Sequence, residues 1–294
     1  MSYRGRFAPS PTGPLHFGSL IAAAGSFVRA RARGGAWLVR MEDLDPPREV
    51  PGAADDILAT LTAFGMVADE PVVYQSQREA AYRRAFAQLR ARDAVFPCWC
   101  SRSDLEAQNG LHLGACTTAP DKARVPAWRV RAADREIHFI DFLQGPQSQQ
   151  LARDVGDFIV RRVEGWFAYQ LAVVVDDADA GITEIVRGCD LLDSTPRQIY
   201  LQQLLHLPTP QYLHLPLALD GDGQKLSKTL SARPVDRHDP APALRAALDF
   251  LGLGAAVRGV EPNPQALLAS AIVHFDPSQL RKQSTFAAEA DCKA

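Results

Sequence analysis

The chain has no stretch of about 20 apolar residues, so no segment is long enough to cross a membrane as a helix. No apolar core follows the N-terminal Met-Ser-Tyr-Arg-Gly-Arg, so no secretion is expected and the protein is read as cytoplasmic. Charge of one sign is also missing. Its 32 Lys and Arg against 34 Asp and Glu leave a net charge of −2 and a pI near 6.4. That excludes a broadly basic, histone-like binder but not a local basic patch. Cysteine is sparse and odd in number: five, three of them between Cys98 and Cys116, with Cys189 and Cys292 apart. An odd count argues against a disulfide framework and for a local metal site. There is no internal repeat and no low-complexity tract. With 47% hydrophobic and 22% charged residues, wholesale disorder is excluded. The 294 residues suggest about two domains and can bury a core without staples.

The patterning at the start is informative. Tyr3 to Pro9 reads as a short strand, and Pro9, Pro11, Gly13 and Pro14 make a rigid loop. From Phe17, the apolar residues Leu20, Ile21, Ala24, Phe27 and Val28 fall at helical spacing, ended by Gly34-Gly35. Ala36 to Val39 is a continuous apolar run, expected of a parallel strand covered on both faces, and it leads into the charged Arg40-Met41-Glu42-Asp43-Leu44-Asp45. This is a βαβ unit whose ligand crevice lies at the strands' carboxyl ends. Further on, Asp55–Phe64 and Glu79–Arg92 predict amphipathic helices. Cys98–Pro126 reads as irregular, Phe167–Val175 and Ile182–Arg187 as strands, and Ile199–Leu205 as a helix. Leu215–Leu219 is apolar and Asp220–Gly223 a turn. After Pro234 come alanine- and leucine-rich helices, with the end beyond about Thr285 frayed. Cys189 is expected in the core and Cys292 idle in the tail.

Three sets of residues carry chemistry. His16 and Gly18 stand at a helix N-terminus, where backbone N–H groups and the helix dipole attract phosphate, and Gly18 lets a ligand lie against the backbone. Lys225-Leu226-Ser227-Lys228-Thr229 follows a Gly-Asp-Gly turn, and its two lysines can neutralise charge developing on a triphosphate. Cys98-Trp99-Cys100, with His112 and Cys116, offers three thiolates and one imidazole, a donor set that satisfies tetrahedral zinc. In an irregular segment a metal would replace a missing core.

His16-Phe17-Gly18-Ser19 resembles the HIGH signature of class I aminoacyl-tRNA synthetases, and Lys225–Thr229 resembles their KMSKS signature. Arg6-Phe7-Ala8-Pro9-Ser10-Pro11-Thr12-Gly13, Leu38–Asp45 and Ile185–Leu192 are similar to the glutamyl subgroup in particular. The resemblance spans roughly 3–233. Phe17, Ser19, Leu226 and Thr229 depart from the signatures but leave His16, Gly18 and both lysines. It implies an α/β fold with a Rossmann-like parallel sheet: 1–95 and 151–233 the two catalytic halves, 96–150 a zinc-containing insertion, 234–294 a small helical subdomain. It also implies ATP as substrate, with His16, Gly18, Ser19, Lys225, Ser227 and Lys228 at its site and Mg²⁺ assisting.

Glutamate presents two carboxylates and one ammonium. Arg6 and Arg187 can take the former and Glu42 the latter, with Ala8, Ser10 and Tyr169 as the further contacts the resemblance implies. Family members often place a tyrosine in the metal site where His112 stands, and an imidazole binds zinc better. Only about 60 residues follow the lysine motif, too few for the anticodon-binding domain of the full glutamyl enzymes. The chain therefore resembles the truncated bacterial paralogues, the glutamyl-queuosine tRNA(Asp) synthetases. These activate glutamate without tRNA and attach it to queuosine in the anticodon. The implied partners are L-glutamate and queuosine-bearing tRNA(Asp), with no membrane; a monomer is expected. Arg29, Arg31, Arg33, Arg161 and Arg162 are candidate tRNA contacts. A small or discriminating glutamyl-tRNA synthetase that charges the 3′ end, and a non-catalytic synthetase-like binding protein, stay open.

Overall fold

The structure, a computed structural model, describes residues 2–121, 123–217 and 234–280. Its strands are β1 (Arg4–Phe7), β2 (Ala36–Met41), β3 (Val73–Tyr74), β4 (Val95–Cys98), β5 (Ala127–Val130), β6 (Glu136–Asp141), β7 (Gly145–Gln150), β8 (Phe158–Arg161), β9 (Glu184–Gly188) and β10 (Gln211–Leu215). Its α-helices are α1 (Phe17–Ala32), α2 (Ala53–Ala63), α3 (Glu79–Ala91), α4 (Leu151–Asp154), α5 (Tyr169–Asp179), α6 (Thr195–Leu205), α7 (Pro240–Leu248), α8 (Gly254–Val257) and α9 (Pro264–His274).

Two parallel ladders make the central layer. β1 pairs with β2, and β2 with β3; β9 pairs with β10, and β10 with β6, which turns back on β7 as an antiparallel hairpin. The two ladders abut where the Thr183 backbone N–H donates to the Arg4 carbonyl at 2.9 Å and the Arg4 N–H donates to Thr183 Oγ1 at 2.9 Å. From β1 the chain crosses through α1 to one side, and from β9 through α6 to the other. Where crossovers diverge in this way, a crevice opens beyond the strands' carboxyl ends.

Alternate strand residues serve opposite faces, which explains the unbroken apolar runs. Trp37, Val39 and Met41 join one core with α1, α7 and α9, while Leu38 joins the other with α3, α5 and α6. Val186, Leu213 and Leu215 divide from Ile185 and Tyr212 in the same sense. The mixed α/β fold with a parallel sheet is therefore as expected. No described helix is long and apolar enough to cross a membrane.

Several local expectations need correction. Phe167–Val175 is not a strand: from Tyr169 it is the start of α5, whose residues 171–177 are all buried. A short, wholly apolar run carries no period, so burial on every side hides helix from strand. Cys189 follows β9, opening a 3₁₀ turn, and is only half-buried. The antiparallel sheet β4-β5-β8 and the β6–β7 hairpin were not foreseen. The turn at 220–223 and the end beyond 285 lie outside the described residues.

Arg29 is buried rather than available to a nucleic acid. Its Nε and Nη2 donate to Glu184 at 2.7 and 2.9 Å, and the Tyr3 hydroxyl donates to the same carboxylate at 2.9 Å. The pair fastens α1 to β9. Glu184→Ala would strand a buried cation and is expected to cost about 3–5 kcal/mol of stability, read from the urea unfolding midpoint.

Candidate active site and metal centre

A cleft of about 900 Å³ opens at the junction of the ladders. Arg6, Ala8, Ser10, His16, Gly18 and Ser19 reach it from the β1–α1 unit, Glu42 from the end of β2, Tyr169 from the start of α5 and Arg187 from β9. The chain thus brings together every expected site residue of the first half and of β9. Lys225, Ser227 and Lys228 lie outside the described residues.

His16 caps α1. Its Nδ1 accepts the Ser19 backbone N–H at 3.2 Å, which fixes the neutral ring's proton on Nε2, 3.0 Å from Ser19 Oγ. Burial lowers its pKa, against the pull of Asp190. A Cβ on Gly18 would stand 3.3 Å from the His16 ring, so glycine leaves the imidazole its place. The result is a neutral donor beside a helix N-terminus, suited to an anionic ligand.

The carboxylate-binding candidates are held from behind. Arg6 Nε and Nη2 donate to Asp177 at 3.0 and 3.3 Å, both side chains being 4% exposed. Asp177 also accepts Arg40 Nη1 at 2.6 Å, and Arg40 Nη2 donates to Glu42 at 3.0 Å. Burial would raise the Asp177 pKa, but Arg40 and Arg6 hold it below the ordinary carboxylate value. Burial pushes Glu42 up against the pull of Arg40 and Arg6. Glu42 is thus a buried carboxylate that a further cation would satisfy. Arg187 Nη2 donates to Thr195 Oγ1 at 2.8 Å and to the Leu191 carbonyl at 3.2 Å, and its Nε donates to His214. Its Nη1 meets Tyr169 Oη only at 3.5 Å. Both arginines spend the Nε–Nη2 edge on the protein; among the described residues Arg187 Nη1 has only the long Tyr169 contact and Arg6 Nη1 has no hydrogen bond.

Sequence reasoning missed Asp177, Arg40, Thr195 and His214. The signal at Asp176-Asp177 was legible: two adjacent acids ending an apolar run must be paired if that run is buried.

Among the other basic candidates, Arg31 is tied to Asp69 at 2.7 Å, Arg33 lies over the Tyr3 ring, and Arg161 donates to the Gly165 carbonyl at 3.1 Å. Arg162 lines the cleft, 3.5 Å from Asp45.

Cys98, Cys100, His112 and Cys116 converge, one ligand atom of each lying within 4.8 Å of the others. His112 Nδ1 donates to Asp157 Oδ2 at 2.8 Å, and its Nε2 is buried with no hydrogen-bond partner among the described residues. An orphaned imidazole nitrogen in a thiol cluster fits a metal, and three sulfurs with one nitrogen suit zinc. Asp157 supplies the outer support, also accepting the Gly114 and Ala132 N–H groups at 3.2 and 2.7 Å. Arg129 Nε donates to Cys98 Sγ at 3.3 Å. Gly156, at φ +68°, lets the chain pass His112, whose carbonyl oxygen a Cβ there would meet at 2.4 Å. Burial would raise the Cys100 thiol, but hydrogen bonds from Thr117 and Thr118 outweigh it and bring it down to about 6. Burial and the neighbouring Cys98 push Cys116 up to about 12. Asp157 was missed by sequence reasoning, being 41 residues from the last ligand.

A family model for the catalytic domain of class I tRNA synthetases (E and Q) matches residues 2–134 and 122–240. A curated protein of Burkholderia cenocepacia (strain HI2424) named Glutamyl-Q tRNA(Asp) synthetase is 57% identical over 263 residues, 85% of this chain and 88% of that protein. One of the same name from Xanthomonas campestris pv. campestris (strain 8004) is 52% identical over 280 residues, 95% of this chain and 94% of that protein. In fold, the chain is similar to a solved glutamate tRNA ligase from Elizabethkingia meningosepticum, with a TM-score of 0.79 and 24% identity. That match covers 96% of this chain, which spans 66% of the ligase's length.

The metal centre generates a direct expectation. Asp157→Ala should weaken metal retention about 10- to 100-fold in chelator competition, with all four ligands still in place.

Proposed function

The chain belongs to the class I tRNA synthetase family for E and Q, whose catalytic chemistry uses ATP, and on that premise we propose that it activates L-glutamate without tRNA and passes it to queuosine in the anticodon of tRNA(Asp). The observation that carries the reading is the cleft itself, which gathers Arg6, Glu42 and Arg187 with a capped helix N-terminus. The 52–57% identity to relatives named for this reaction supports the choice of substrates.

In the first step an oxygen of the glutamate α-carboxylate attacks the α-phosphate of ATP. The bond to the bridging oxygen breaks, giving glutamyl-adenylate and pyrophosphate. Glu42 takes the α-ammonium, and Arg6 and Arg187 take the carboxylates through their Nη1 groups. Ala8, Ser10 and Tyr169 complete the amino-acid wall. His16, the α1 N-terminus at Gly18 and Ser19 hold the nucleotide, and Lys225 and Lys228 with neighbouring Ser227 stabilise charge as it develops; Mg²⁺ bound with the triphosphate would neutralise part of the same charge. In the second step a cyclopentene-diol hydroxyl of queuosine attacks the adenylate carbonyl, forming the ester and releasing AMP. The adenylate is reactive enough that positioning suffices. Single-stranded loops can splay a base outward, so an anticodon base can reach such a cleft.

Residues 1–95 and 151–233 form the activating unit in this reading, 96–150 the insertion and 234–294 a helical end. Zinc at Cys98, Cys100, His112 and Cys116 supplies structure rather than chemistry. A monomer working in the cytoplasm completes the proposal.

Purified protein is expected to catalyse glutamate-dependent ATP–pyrophosphate exchange without tRNA. Labelled glutamate should remain on the anticodon fragment of nuclease-cut, queuosine-containing tRNA(Asp). Label on the 3′ end of tRNA(Glu) would identify a 3′-charging enzyme instead, and absence of exchange a non-catalytic relative. Lys228→Ala should slow exchange about 100-fold with an unchanged unfolding midpoint.

A further inference from the structure

We propose that Asp141 and His214 are positioning residues for the substrate carboxylate: they grip one edge of the Arg187 guanidinium so that the other faces the cleft. The proposal rests on the glutamate reading above.

The geometry leaves the imidazole one arrangement. His214, on β10, stands beside Arg187 of β9 in the parallel register and is fully buried. Arg187 Nε donates to His214 Nε2 at 3.0 Å, so Nε2 must be bare. The ring proton is therefore on Nδ1, which donates to Asp141 Oδ2 at 2.6 Å. Asp141, 1% exposed, is itself fixed. Its Oδ1 accepts the Leu143 and Gln144 N–H groups at 3.0 and 2.8 Å, and its Oδ2 accepts the His214 N–H at 3.1 Å. The β6–β7 hairpin thus reaches the amino-acid pocket through one carboxylate, one imidazole and one guanidinium.

Protonating His214 would set an Nε2–H against the Arg187 Nε–H. The surroundings oppose that. Burial lowers its pKa, the Asp141 hydrogen bond and charge raise it, and Arg187 and Arg6 lower it, leaving it below the ordinary 6.5. The Tyr212 ring lies parallel at 6.0 Å, and Thr195 Oγ1 stands 3.2 Å from Nε2. Arg187 therefore keeps a neutral acceptor behind it through the physiological range.

Three variants separate positioning from mere packing. Asp141→Asn is isosteric but turns an N–H toward the ring, which must then bare Nδ1 and aim Nε2–H at Arg187. His214→Gln offers a carbonyl to Arg187 and an amide N–H to Asp141. His214→Leu offers neither. In ATP–pyrophosphate exchange, Asp141→Asn and His214→Leu are expected to raise the KM for glutamate about 10- to 100-fold, with the KM for ATP within about twofold. His214→Gln should stay within about threefold of the unaltered protein. Imidazole ¹⁵N spectra should show the proton on Nδ1, moved to Nε2 by Asp141→Asn. A His214→Leu protein with an unchanged KM for glutamate would overturn the proposal, as would a proton on Nε2 of the unaltered protein. If His214→Leu fails to fold, the contrast between Asp141→Asn and His214→Gln decides in the same way. If even the unaltered protein shows no exchange, the glutamate reading fails, while the spectra still decide the relay.

Discussion

Burying a guanidinium obliges the fold to provide a fixed acceptor for it, and this chain buries four at its catalytic layer. Arg6, Arg29, Arg40 and Arg187 are each 5% exposed or less. Left unpaired, any one would cost about 3–5 kcal/mol, a large share of a domain's usual margin of about 5–15 kcal/mol. The acceptors therefore come from different elements: Asp177 from α5, Glu184 at the start of β9, Glu42 at the end of β2, and His214 backed by Asp141 across β10 and β6. Except for Arg40 with Glu42, which stand close together at the end of β2, each pairing fastens two segments far apart in sequence, and Arg40 itself reaches Asp177. The site and the sheet junction are consequently one construction. Arginine's planar fork makes this possible, because one edge can be anchored while the other stays available.

The sequence shows the first βαβ unit in nearly full detail. Pro and Gly mark the loop, the 3.6-residue period marks α1, and Gly34, at φ +61°, ends it. It also shows residues that line the cleft, because His16, Gly18, Glu42 and Arg187 lie in local motifs whose residue types are legible in sequence. What it hides is pairing at long range. Asp177 stands 171 residues from Arg6, and Asp141 stands 73 from His214. No local period links such partners. Helix α5 is hidden for a related reason: burial on all sides erases the amphipathic stripe that would announce it.

Composition carries one signal that patterning does not. Lys122, Lys225, Lys228, Lys282 and Lys293 are the chain's only lysines, the remaining basic residues being arginine. Arginine serves wherever a cation is gripped and held, as at Asp177 and Glu184. A flexible stem with a compact charge is better suited to following a phosphate whose charge grows and then leaves. Two lysines three residues apart, in a chain that otherwise prefers arginine, stand out on composition alone.

The Cys98, Cys100, His112 and Cys116 cluster solves a different problem by the same logic. Residues 99–126 contain one short 3₁₀ turn and no strand among the described residues, so they have few ladder hydrogen bonds of their own. Three donors from this segment, Cys100, His112 and Cys116, converge with Cys98 at the end of β4 instead, and the imidazole is steered by Asp157, which also accepts two backbone N–H groups. Asp157 is nearly fully buried and stands immediately before β8, the strand that pairs with β5 of the antiparallel sheet. A carboxylate fixed by the sheet thus orients a ligand in the loop, and Arg129 of β5 touches both Cys98 and the Asp157 carbonyl. The irregular segment is anchored at its sulfur end and at its imidazole end to the same three strands. A metal that locks the four donors would therefore rigidify the loop relative to the sheet, not merely compact it.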